Sequence, residues 1–372
     1  MSEKIPEGWK KVKLGEVVIF NYGKSLPKKE RIKGNIPVYS SAGITGWHNK
    51  ALVNSKGIIV GRKGTIGKVY KSKVPFYPID TCYYILPSEK YEFDFMYYLL
   101  IYLKLDKLNE DSAVPGLNRN TAYSQEIFLP PLPEQKAIAS VLSSLDDKID
   151  LLHRQNQTLE KMAETLFRKW FIEDAKDDWE EVSLGDSDLA TIISSGIEKF
   201  EGEKIYLATG DVQDTNITGG VKITYENRPS RANMQPVKFS VWFAKKGGVR
   251  KLIMFDDYSD IDKYILSTGF SGLKTNELSH YYIWCFVLTK EFQEIKDSFV
   301  SGSVQPDITN EGIKQITILK PDNQTLIKFN EIVKPLFYKY QQNKLQIQTL
   351  ENLRDTLLPK LMSGEVRVKY EL

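Results

Sequence analysis

The chain of 372 residues is long enough for two or three domains, and its hydrophobic content of 41% is sufficient for packed cores. It contains no run of about eighteen apolar residues and no apolar signal region, which excludes a membrane span and predicts a soluble, cytoplasmic protein. The net charge of +3 is unevenly distributed, because residues 1–75 contain sixteen Lys and Arg against four Glu. This basic segment is a candidate nucleic-acid face, and a solvated basic surface is the alternative.

The first part of the chain has the pattern of a mixed α+β domain. It opens with GWKKVKLGEVV at residues 8–18, which returns in altered form as DWEEVSLGDSD at residues 178–188. Short β-like segments separated by turn residues follow the first opening, at 36–49, 57–70 and 79–87. An apolar helix is then predicted over 91–105. We place the first domain at residues 1–130.

Residues 131–173 predict one long helix. Proline is tolerated in the first helical turn and disruptive later, so the helix is expected to begin near Pro133 or Glu134. From 134 to 171 the sequence contains neither Pro nor Gly. Apolar residues recur there at spacings of three and four, as in a heptad seam: Ile138, Leu142, Leu145, Ile149, Leu152, Leu159, Ala163, Leu166 and Trp170. Such a seam requires a partner helix.

The chain contains that partner in its last part. Residues 348–362, QTLENLRDTLLPKLM, repeat residues 157–171, QTLEKMAETLFRKWF. The second helix and its tail are placed at residues 321–372, with a stop at Ser363-Gly364. Pro335 is expected to kink this helix or to mark its start. Its seam residues are Val333, Leu336, Tyr340, Ile347, Leu350, Leu357 and Leu361. Two unrelated amphipathic helices are the alternative.

Residues 174–320 predict a second domain with the fold of the first. An acidic linker, IEDAKDD, precedes it, and it contains the strand-like segments EKIYLATGDV, GGVKITYE, KFSVWFAKKGGVRKLIMF and ELSHYYIWCFVLT. The predicted fold class is α+β. It comprises two tandem mixed α/β domains, each followed by a long helix, with the two helices packing as an antiparallel coiled coil with pseudo-two-fold symmetry.

One asparagine interrupts each seam, Asn156 in the first helix and Asn343 in the second. A buried amide facing leucine loses its hydrogen bonds, so the two asparagines are expected to pair. That register makes the numbers of paired residues sum to 499. It sets Leu145 against Arg354, which is the poorest pairing.

The residue patterns do not assemble into an active site. GRKGTIGKV at residues 61–69 departs from a phosphate-binding P-loop, because Val69 stands where a hydroxyl must hold magnesium. The three histidines are too scattered for zinc, and the Asn-Pro-Pro-aromatic tetrad of DNA amino-methyltransferases is missing. Cys82 and Cys285 lie in aromatic, strand-like segments and are predicted to be core thiols. A non-catalytic protein is therefore expected, and a stand-alone DNA methyltransferase or nuclease and a structural coiled-coil adaptor are the alternatives.

Several motifs occur in the order found in one known family. PLPEQKAIASVLSSLDDKID with LEKMAETLFRKWF, and LENLRDTLLPKLMSGEV, resemble the central and C-terminal conserved regions of specificity subunits of type I restriction-modification systems. GWKKVKLGEVV, IPVYSSAGITGW and GRKGTIGKV are similar to the recurrent openings and turns of their target recognition domains. The segment LKPDNQTLIKF departs from LPPLPEQKAIA at the second junction.

The resemblance implies a role in DNA recognition within a phage-defence system. Each target recognition domain would read one half of an interrupted, asymmetric sequence in double-stranded DNA, and the two helices would set the gap. Two modification subunits would use S-adenosylmethionine to methylate adenine, and restriction subunits with motor and nuclease activity would join for cleavage. The chain itself would bind no cofactor, since S-adenosylmethionine, ATP and Mg belong to the partners.

Candidate DNA contacts are basic and polar residues of the predicted loops, because Lys and Arg bind phosphates while Arg, Asn, Gln and Ser read bases. A solvated surface role is the alternative for each, and a core position is a further alternative for Trp47. The candidates in the first domain are Lys24, Ser25, Lys28, Lys29, Arg31, Ser40, Ser41, Thr45, Trp47, His48, Arg62, Lys63, Asn118, Arg119 and Asn120. Those in the second are Arg228, Arg231, Asn233, Lys245, Lys246, Arg250, Lys274 and Ser303. The aromatic pairs Trp170-Phe171 and Phe337-Tyr338 are expected to offer apolar surface for docking of the modification subunits.

Overall fold

The computed structural model describes residues 5–108, 116–300 and 307–369. The chain divides into two compact units, Met1–Leu151 with Ile347–Leu372, and Leu152–Gln346. This division cuts through both long helices. Among the described residues, none of the helices combines the length and apolar character that a bilayer span requires.

The first unit contains nine of the described strands and three short helices. The strands are β1 (Lys10–Lys13), β2 (Asn21–Tyr22), β3 (Ile36–Ser40), β4 (Gly43–His48), β5 (Gly57–Gly61), β6 (Val69–Ser72), β7 (Tyr77–Pro78), β8 (Cys82–Ile85) and β9 (Glu126–Leu129). The helices are α1 (Leu14–Val17), α2 (Phe93–Tyr102) and α3 (Arg119–Tyr123).

Two long helices pass through both units. The first is α4 (Leu132–Arg168), which has 37 residues and continues as a π-helical turn over Lys169–Glu173. The second is α8 (Asn323–Ser363), which has 41 residues and ends at Gly364, a glycine with φ +74°. Because α8 begins well before Pro335, the expectation that this proline marks the helix start is wrong. Pro335 instead lies inside the helix, where its missing N–H removes one backbone hydrogen bond.

The second unit contains the remaining described strands and three shorter helices. The strands are β10 (Glu180–Ser183), β11 (Ala190–Ile192), β12 (Lys204–Leu207), β13 (Val212–Gln213), β14 (Asn216–Ile217), β15 (Val221–Ile223), β16 (Ala232–Met234), β17 (Ser240–Ala244), β18 (Leu252–Phe255), β19 (Tyr264–Ser267), β20 (Phe270–Thr275) and β21 (Thr317–Lys320). The helices are α5 (His280–Leu288), α6 (Lys290–Ser298) and α7 (Asn310–Gln315).

The two units repeat one sheet topology. The first contains a four-stranded sheet in the order β2-β8-β5-β6, and the second a four-stranded sheet in the order β11-β20-β17-β18. Every neighbouring pair in both sheets is antiparallel. A second sheet in each unit contains one antiparallel and one parallel pairing around an equivalent strand, β3 in the first and β12 in the second. The mixed α/β fold predicted from the sequence is therefore present.

The repeated opening sequence forms the same local structure in each unit. Val12 of β1 pairs with Ile127 of β9, and Val182 of β10 pairs with Ile318 of β21, both in antiparallel ribbons. In each case the partner is the strand that leads into a long helix. Side chains alternate across a strand, so this register directs both valines to the same side as the leucine that follows two residues later.

The long helices contribute to the core of each unit. In the first, Ile138 and Leu142 of α4 belong to a buried cluster that also contains Leu361 of α8. In the second, Ala163 and Phe167 of α4 belong to a cluster that extends to Tyr340 of α8, among other residues. These helix residues are thus buried together with side chains of the domains.

One segment of the second unit differs from its prediction. ELSHYYIWCFVLT was expected to form a strand, but α5 (His280–Leu288) is a helix with all nine of its residues buried. Aromatic and β-branched residues favour strands when one face is exposed, whereas a fully enclosed segment satisfies either pattern. The side chain of Asn276 accepts hydrogen bonds from the amides of Leu278 and Ser279 and turns the chain into the helix.

Both cysteines are free and buried, as predicted. Cys82 lies in β8, whereas Cys285 lies in the helix α5 rather than in a strand. Burial raises the pKa of the Cys82 thiol to about 12, which keeps it protonated.

Candidate nucleic-acid interface

The turn between β5 and β6 fixes a basic dipeptide in the first unit. The amides of Arg62 and Lys63 both donate to the carbonyl of Thr81, at 2.9 and 3.2 Å, and the carbonyl of Arg62 accepts from Leu117. Gly67 has φ +68°, and a Cβ there would lie 2.0 Å from the amide nitrogen of Asp106. Only glycine fits that position, so the turn is closed by backbone contact. This antiparallel hairpin also differs from the strand–turn–helix of a P-loop.

Two arginines converge on one exposed tyrosine beside this turn. The guanidinium carbons of Arg62 and Arg119 lie 4.9 and 5.2 Å from the ring centroid of Tyr22. Arg62 also donates to the carbonyl of Asp80 at 3.0 Å, while Tyr22 is 47% exposed. A guanidinium stacked on an aromatic ring keeps its donor edge available to a planar acceptor. The sequence prediction missed Tyr22, although it lies two residues before the candidate Lys24.

Asn118 and Asn120 belong to the same surface. Asn118 caps α3, since its side chain accepts from the amide of Asn120 at 2.8 Å. The side chain of Asn120 is exposed. The structure therefore brings together the candidates Arg62, Lys63 and Arg119 with both asparagines, which are far apart in the sequence.

The second unit repeats the arrangement with a different basic dipeptide. Lys245-Lys246 follows β17 as Arg62-Lys63 follows β5, and the carbonyl of Lys245 accepts from the amide of Ile308 at 3.0 Å. Lys246 pairs with Asp307 in an antiparallel bridge, as Lys63 does with Gly116. The chain then enters a short helix capped by a side chain, here that of Thr309. Equivalent turns of the two units thus present the two dipeptides.

Further candidates surround the basic turn of the second unit. The amide of Lys245 donates to Gly269, and the carbonyl of Arg231 accepts from Thr268 in the same β19–β20 turn. Arg231 is exposed, whereas Asn233 is partly buried and its carbonyl accepts from Gly196. The contacts of the β19–β20 turn bring Arg231 close to Lys245.

Arg250 lies at the end of the same turn and is already paired. Its guanidinium forms an ion pair with Asp214 and donates to the carbonyl of Leu288 at 3.3 Å. Arg228 lies in the loop between β15 and β16, and its guanidinium carbon lies 3.7 Å from the ring centroid of Tyr225. Both arginines therefore have protein partners that hold their position.

Several candidates of the first unit serve as loop supports. Arg31 donates to the carbonyls of Leu26 and Thr45, at 3.3 and 2.7 Å. His48 is buried, and its Nδ1 accepts from the amide of Ile32 at 3.0 Å. Ser41 is also buried, so the side chains of His48 and Ser41 are not part of the exposed surface that a DNA contact requires.

Ser40 is half-buried, with its hydroxyl donating to Gly43. Trp47 is 54% exposed, which rules out the core position considered for it. Lys274 lies exposed on β20, and Ser303 falls outside the described residues. Five candidates of the first unit are exposed, and the four lysines among them form no ion pair within the described residues: Lys24, Ser25, Lys28, Lys29 and Lys63.

The aromatic pairs predicted to offer an apolar docking surface are mostly covered by the second unit. Phe171 and Phe337 are 3% and 1% exposed and pack in the core of the second unit, and Trp170 packs against the same core. They were expected to be exposed because heptad analysis of one helix pair ignores the domain that covers it. Of the four aromatic residues, Tyr338 is exposed. Exposed apolar side chains of the long helices include Leu151, Met162, Ile332, Tyr338, Leu345 and Leu353.

Comparison with known proteins gives one family-model match and relatives of nearly the same length. Residues 6–161 match the family model described as the type I restriction modification DNA specificity domain. The chain is 29% identical to the MjaIX specificity subunit of Methanocaldococcus jannaschii, over 98% of this chain and 95% of that protein. It is 21% identical to the MjaVIII specificity subunit of the same organism, with the same coverage of both chains.

A solved structure shares the fold. The S subunit of a type I restriction-modification system from M. genitalium aligns with a TM-score of 0.58 and 20% identity, over 97% of each chain. Residues 6–161 are thus similar to a DNA specificity domain of the type I restriction-modification class. The chain is similar, over nearly its whole length, to specificity subunits of these systems.

Proposed function

We propose that the chain reads a two-part DNA target, with each unit acting as one target recognition domain. The supporting observation is the repetition of one arrangement, in which the same turn of the same sheet presents Arg62-Lys63 in the first unit and Lys245-Lys246 in the second. Repeated readers with different side chains suit two half-sites of different sequence, as symmetric readers suit palindromes. The target is therefore interrupted and asymmetric.

The candidate side chains form two groups, one suited to phosphates and one suited to base edges. Exposed lysines such as Lys28 and Lys29 provide phosphate contacts, which supply affinity that depends on salt. Arg62, Arg119 and Asn120 present fork-shaped or amide donors at the Tyr22 surface, which is the chemistry that reads guanine and adenine in the major groove. In the second unit Lys245, Lys246 and Arg231 have the corresponding role.

The long helices are proposed to pack as an antiparallel coiled coil with pseudo-two-fold symmetry, which sets the spacing between the half-sites. Contacts within each unit support opposite helix directions. In the first unit Arg354 of α8 donates to Asp146 of α4 at 2.9 Å. In the second, Asn156 contacts Asn343, and Trp170 lies 5.9 Å from Phe329 between ring centroids. The residue numbers fall on α8 as they rise on α4.

The partners supply the chemistry. Two modification subunits dock on the exposed apolar side chains of the helices and use S-adenosylmethionine to methylate adenine in the target. Restriction subunits, which use ATP and Mg, join the same scaffold for cleavage. The chain itself holds none of these cofactors.

Co-expression with the modification subunits tests this function. Affinity purification of the chain is expected to recover two modification subunits per chain by native mass spectrometry, and the complex is expected to methylate one interrupted sequence. Met162→Glu with Leu353→Glu should reduce recovery of these subunits, whereas the matched control Gln342→Glu should not. Recovery of the chain alone, or methylation of a single uninterrupted sequence, would contradict the proposal.

A further inference from the structure

A buried lysine lies beneath the basic turn of the second unit. Lys296 of α6 is 1% exposed, and its ammonium donates to the carbonyls of Ala244, Lys246 and Val249 at 3.4, 3.1 and 3.1 Å. An ammonium group has three donors, so these carbonyls satisfy it completely. Each of the three acceptors belongs to the segment that carries Lys245-Lys246.

The next residue binds the same turn as a hydrogen-bond acceptor rather than as a donor. Asp297 accepts from the amide of Gly248 at 3.1 Å, and its other carboxylate oxygen lies 3.3 Å from the Lys296 ammonium. A charged donor and a charged acceptor from consecutive residues thus bind four backbone groups of one turn. Charge-assisted hydrogen bonds are about twice as strong as neutral ones, so the backbone of this turn is fixed from below.

The helix that carries the pair is itself anchored. Thr289 caps α6 by accepting from the amide of Phe292 at 3.1 Å, and Phe292 is fully buried. Its ring packs against Phe243 with the centroids 5.1 Å apart, and Phe243 belongs to β17, the strand that leads into the turn. The clamp therefore connects the turn to the core of its unit.

The first unit holds its equivalent turn by other means. There Gly67 contacts the backbone of Leu105 and Asp106, in a 3-10 turn that follows α2. At the position corresponding to Gly67 the second unit has Arg250, whose side chain excludes such close approach. A lysine that caps carbonyls replaces the glycine contact.

We propose that Lys296 and Asp297 form a turn clamp that positions Lys245-Lys246 and so determines how strictly the second unit reads its half-site. This inference rests on the proposed function, since it assigns these two residues to the specificity of one of its two readers. They are positioning residues and do not contact DNA. Burial is costly for an uncompensated ammonium, so the clamp persists only while its carbonyl partners are in place.

The test uses the complete complex with the modification subunits and duplex DNA carrying its target, as mapped from methylated adenines. A panel of duplexes with single base changes measures discrimination at each half-site. The half-site whose discrimination responds to Lys246→Gln is the one read by the second unit. Lys296→Met keeps the length of the side chain and removes the ammonium. The matched control is Lys290→Met on the same helix, where the lysine is exposed and paired with Glu294.

Lys296→Met is expected to lower discrimination at the second half-site by about tenfold, which is in the range that one base pair contributes. Discrimination at the first half-site and the behaviour of Lys290→Met should equal those of the unaltered chain. Unaltered discrimination at both half-sites would overturn the clamp. An equal loss at both would overturn it too, since a clamp confined to the second unit does not affect the half-site read by the first.

Asp297→Ala provides a second variant if Lys296→Met does not fold, because Asp297 is 38% exposed and its removal leaves no cavity. Asp297→Ala should lower discrimination at the same half-site, and discrimination equal to that of the unaltered chain would overturn the clamp. If the unaltered complex has no two-part target, the proposed function fails and the clamp fails with it. If the unaltered complex reads two half-sites and the variants read them equally well, the clamp alone fails.

Discussion

The side chain of Asn343 donates a hydrogen bond to the side chain of Asn156 at 2.9 Å, and both residues are buried between α4 and α8 in the second unit. Asn156 also donates to the carbonyl of Tyr340 at 3.4 Å. This is the pair that interrupts the two apolar seams of the sequence. The contact links two polar residues that would each be costly alone.

Replacing one asparagine should therefore cost more than replacing both. Asn156→Leu or Asn343→Leu leaves the other amide facing a hydrocarbon, with an expected loss of about 1–3 kcal/mol in the free energy of unfolding. The double variant should lose less than the sum of the single losses. Urea unfolding of the full chain measures all three, with exposed Gln342→Leu as the control. Additive losses would show that the two amides do not depend on each other.

Glu134 connects the start of α4 to distant parts of the first unit. Its carboxylate accepts from Arg367 through Nε and Nη2, at 2.5 and 2.8 Å, and from the indole of Trp9 at 3.1 Å. Glu134 is fully buried, so Glu134→Gln should cost about 2 kcal/mol or more of stability. The pair of Lys11 and Glu126 is exposed, and Glu126→Gln should cost less than about 0.5 kcal/mol. Equal melting temperatures of the two variants would contradict this difference.

His280 should make the second unit sensitive to acid. Burial lowers its pKa from 6.5 to about 3, and its Nδ1 lies 2.9 Å from the hydroxyl of Thr275. Because the folded pKa lies below the unfolded one, the unfolded state binds the proton first. Stability should thus fall as pH decreases below about 6.5, by up to about 1.4 kcal/mol per pH unit, until pH approaches 3.

The acid dependence is measured by urea unfolding between pH 7 and pH 4. His280→Gln removes the titrating group, so its unfolding curve should change less with pH than that of the unaltered chain, whatever its stability at pH 7. An identical pH dependence in the two proteins would show that other groups cause the acid sensitivity.

The exposed lysines before β3 should contribute salt-dependent affinity. Neither Lys28 nor Lys29 forms an ion pair in the described part of the chain, whereas Arg31 supports the loop through carbonyls. Lys28→Gln with Lys29→Gln should weaken binding to all DNA sequences and lower the slope of log affinity against log salt by about 2. Lys290→Gln, on α6, should leave the slope unchanged. A shifted sequence preference with an unchanged slope would instead assign these lysines to base reading.

The sequence predicted the parts of the fold that depend on local periodicity and repetition. The heptad seams of α4 and α8 were visible because their buried positions recur at fixed spacing, and Ser363-Gly364 marked the end of α8 correctly. The helix α5 was assigned wrongly because burial on every face removes periodicity. Phe171 and Phe337 were predicted at the surface but lie in the core, because the second unit covers this part of the helices.

The candidate site was predicted by residue type but not by its geometry. Arg62 and Arg119 were both candidates, yet nothing in their sequence positions indicates that they share Tyr22. The side chain of His48 has the donors and acceptors that base reading needs. It is nevertheless buried, and its Nδ1 accepts a hydrogen bond from the backbone amide of Ile32. The sequence contains one indication that Lys296 is buried. It follows Phe292 by one helical turn and so lies on the apolar face of α6. A lysine in that position indicates a buried acceptor.

The most direct test of this account is a map of methylated adenines produced by the complex with altered basic dipeptides. Arg62→Gln with Lys63→Gln should relax or change one half of the target and leave the other half intact. Lys245→Gln with Lys246→Gln should affect the opposite half. If both pairs alter the same half of the target, or if neither alters it, the assignment of one half-site to each unit is contradicted.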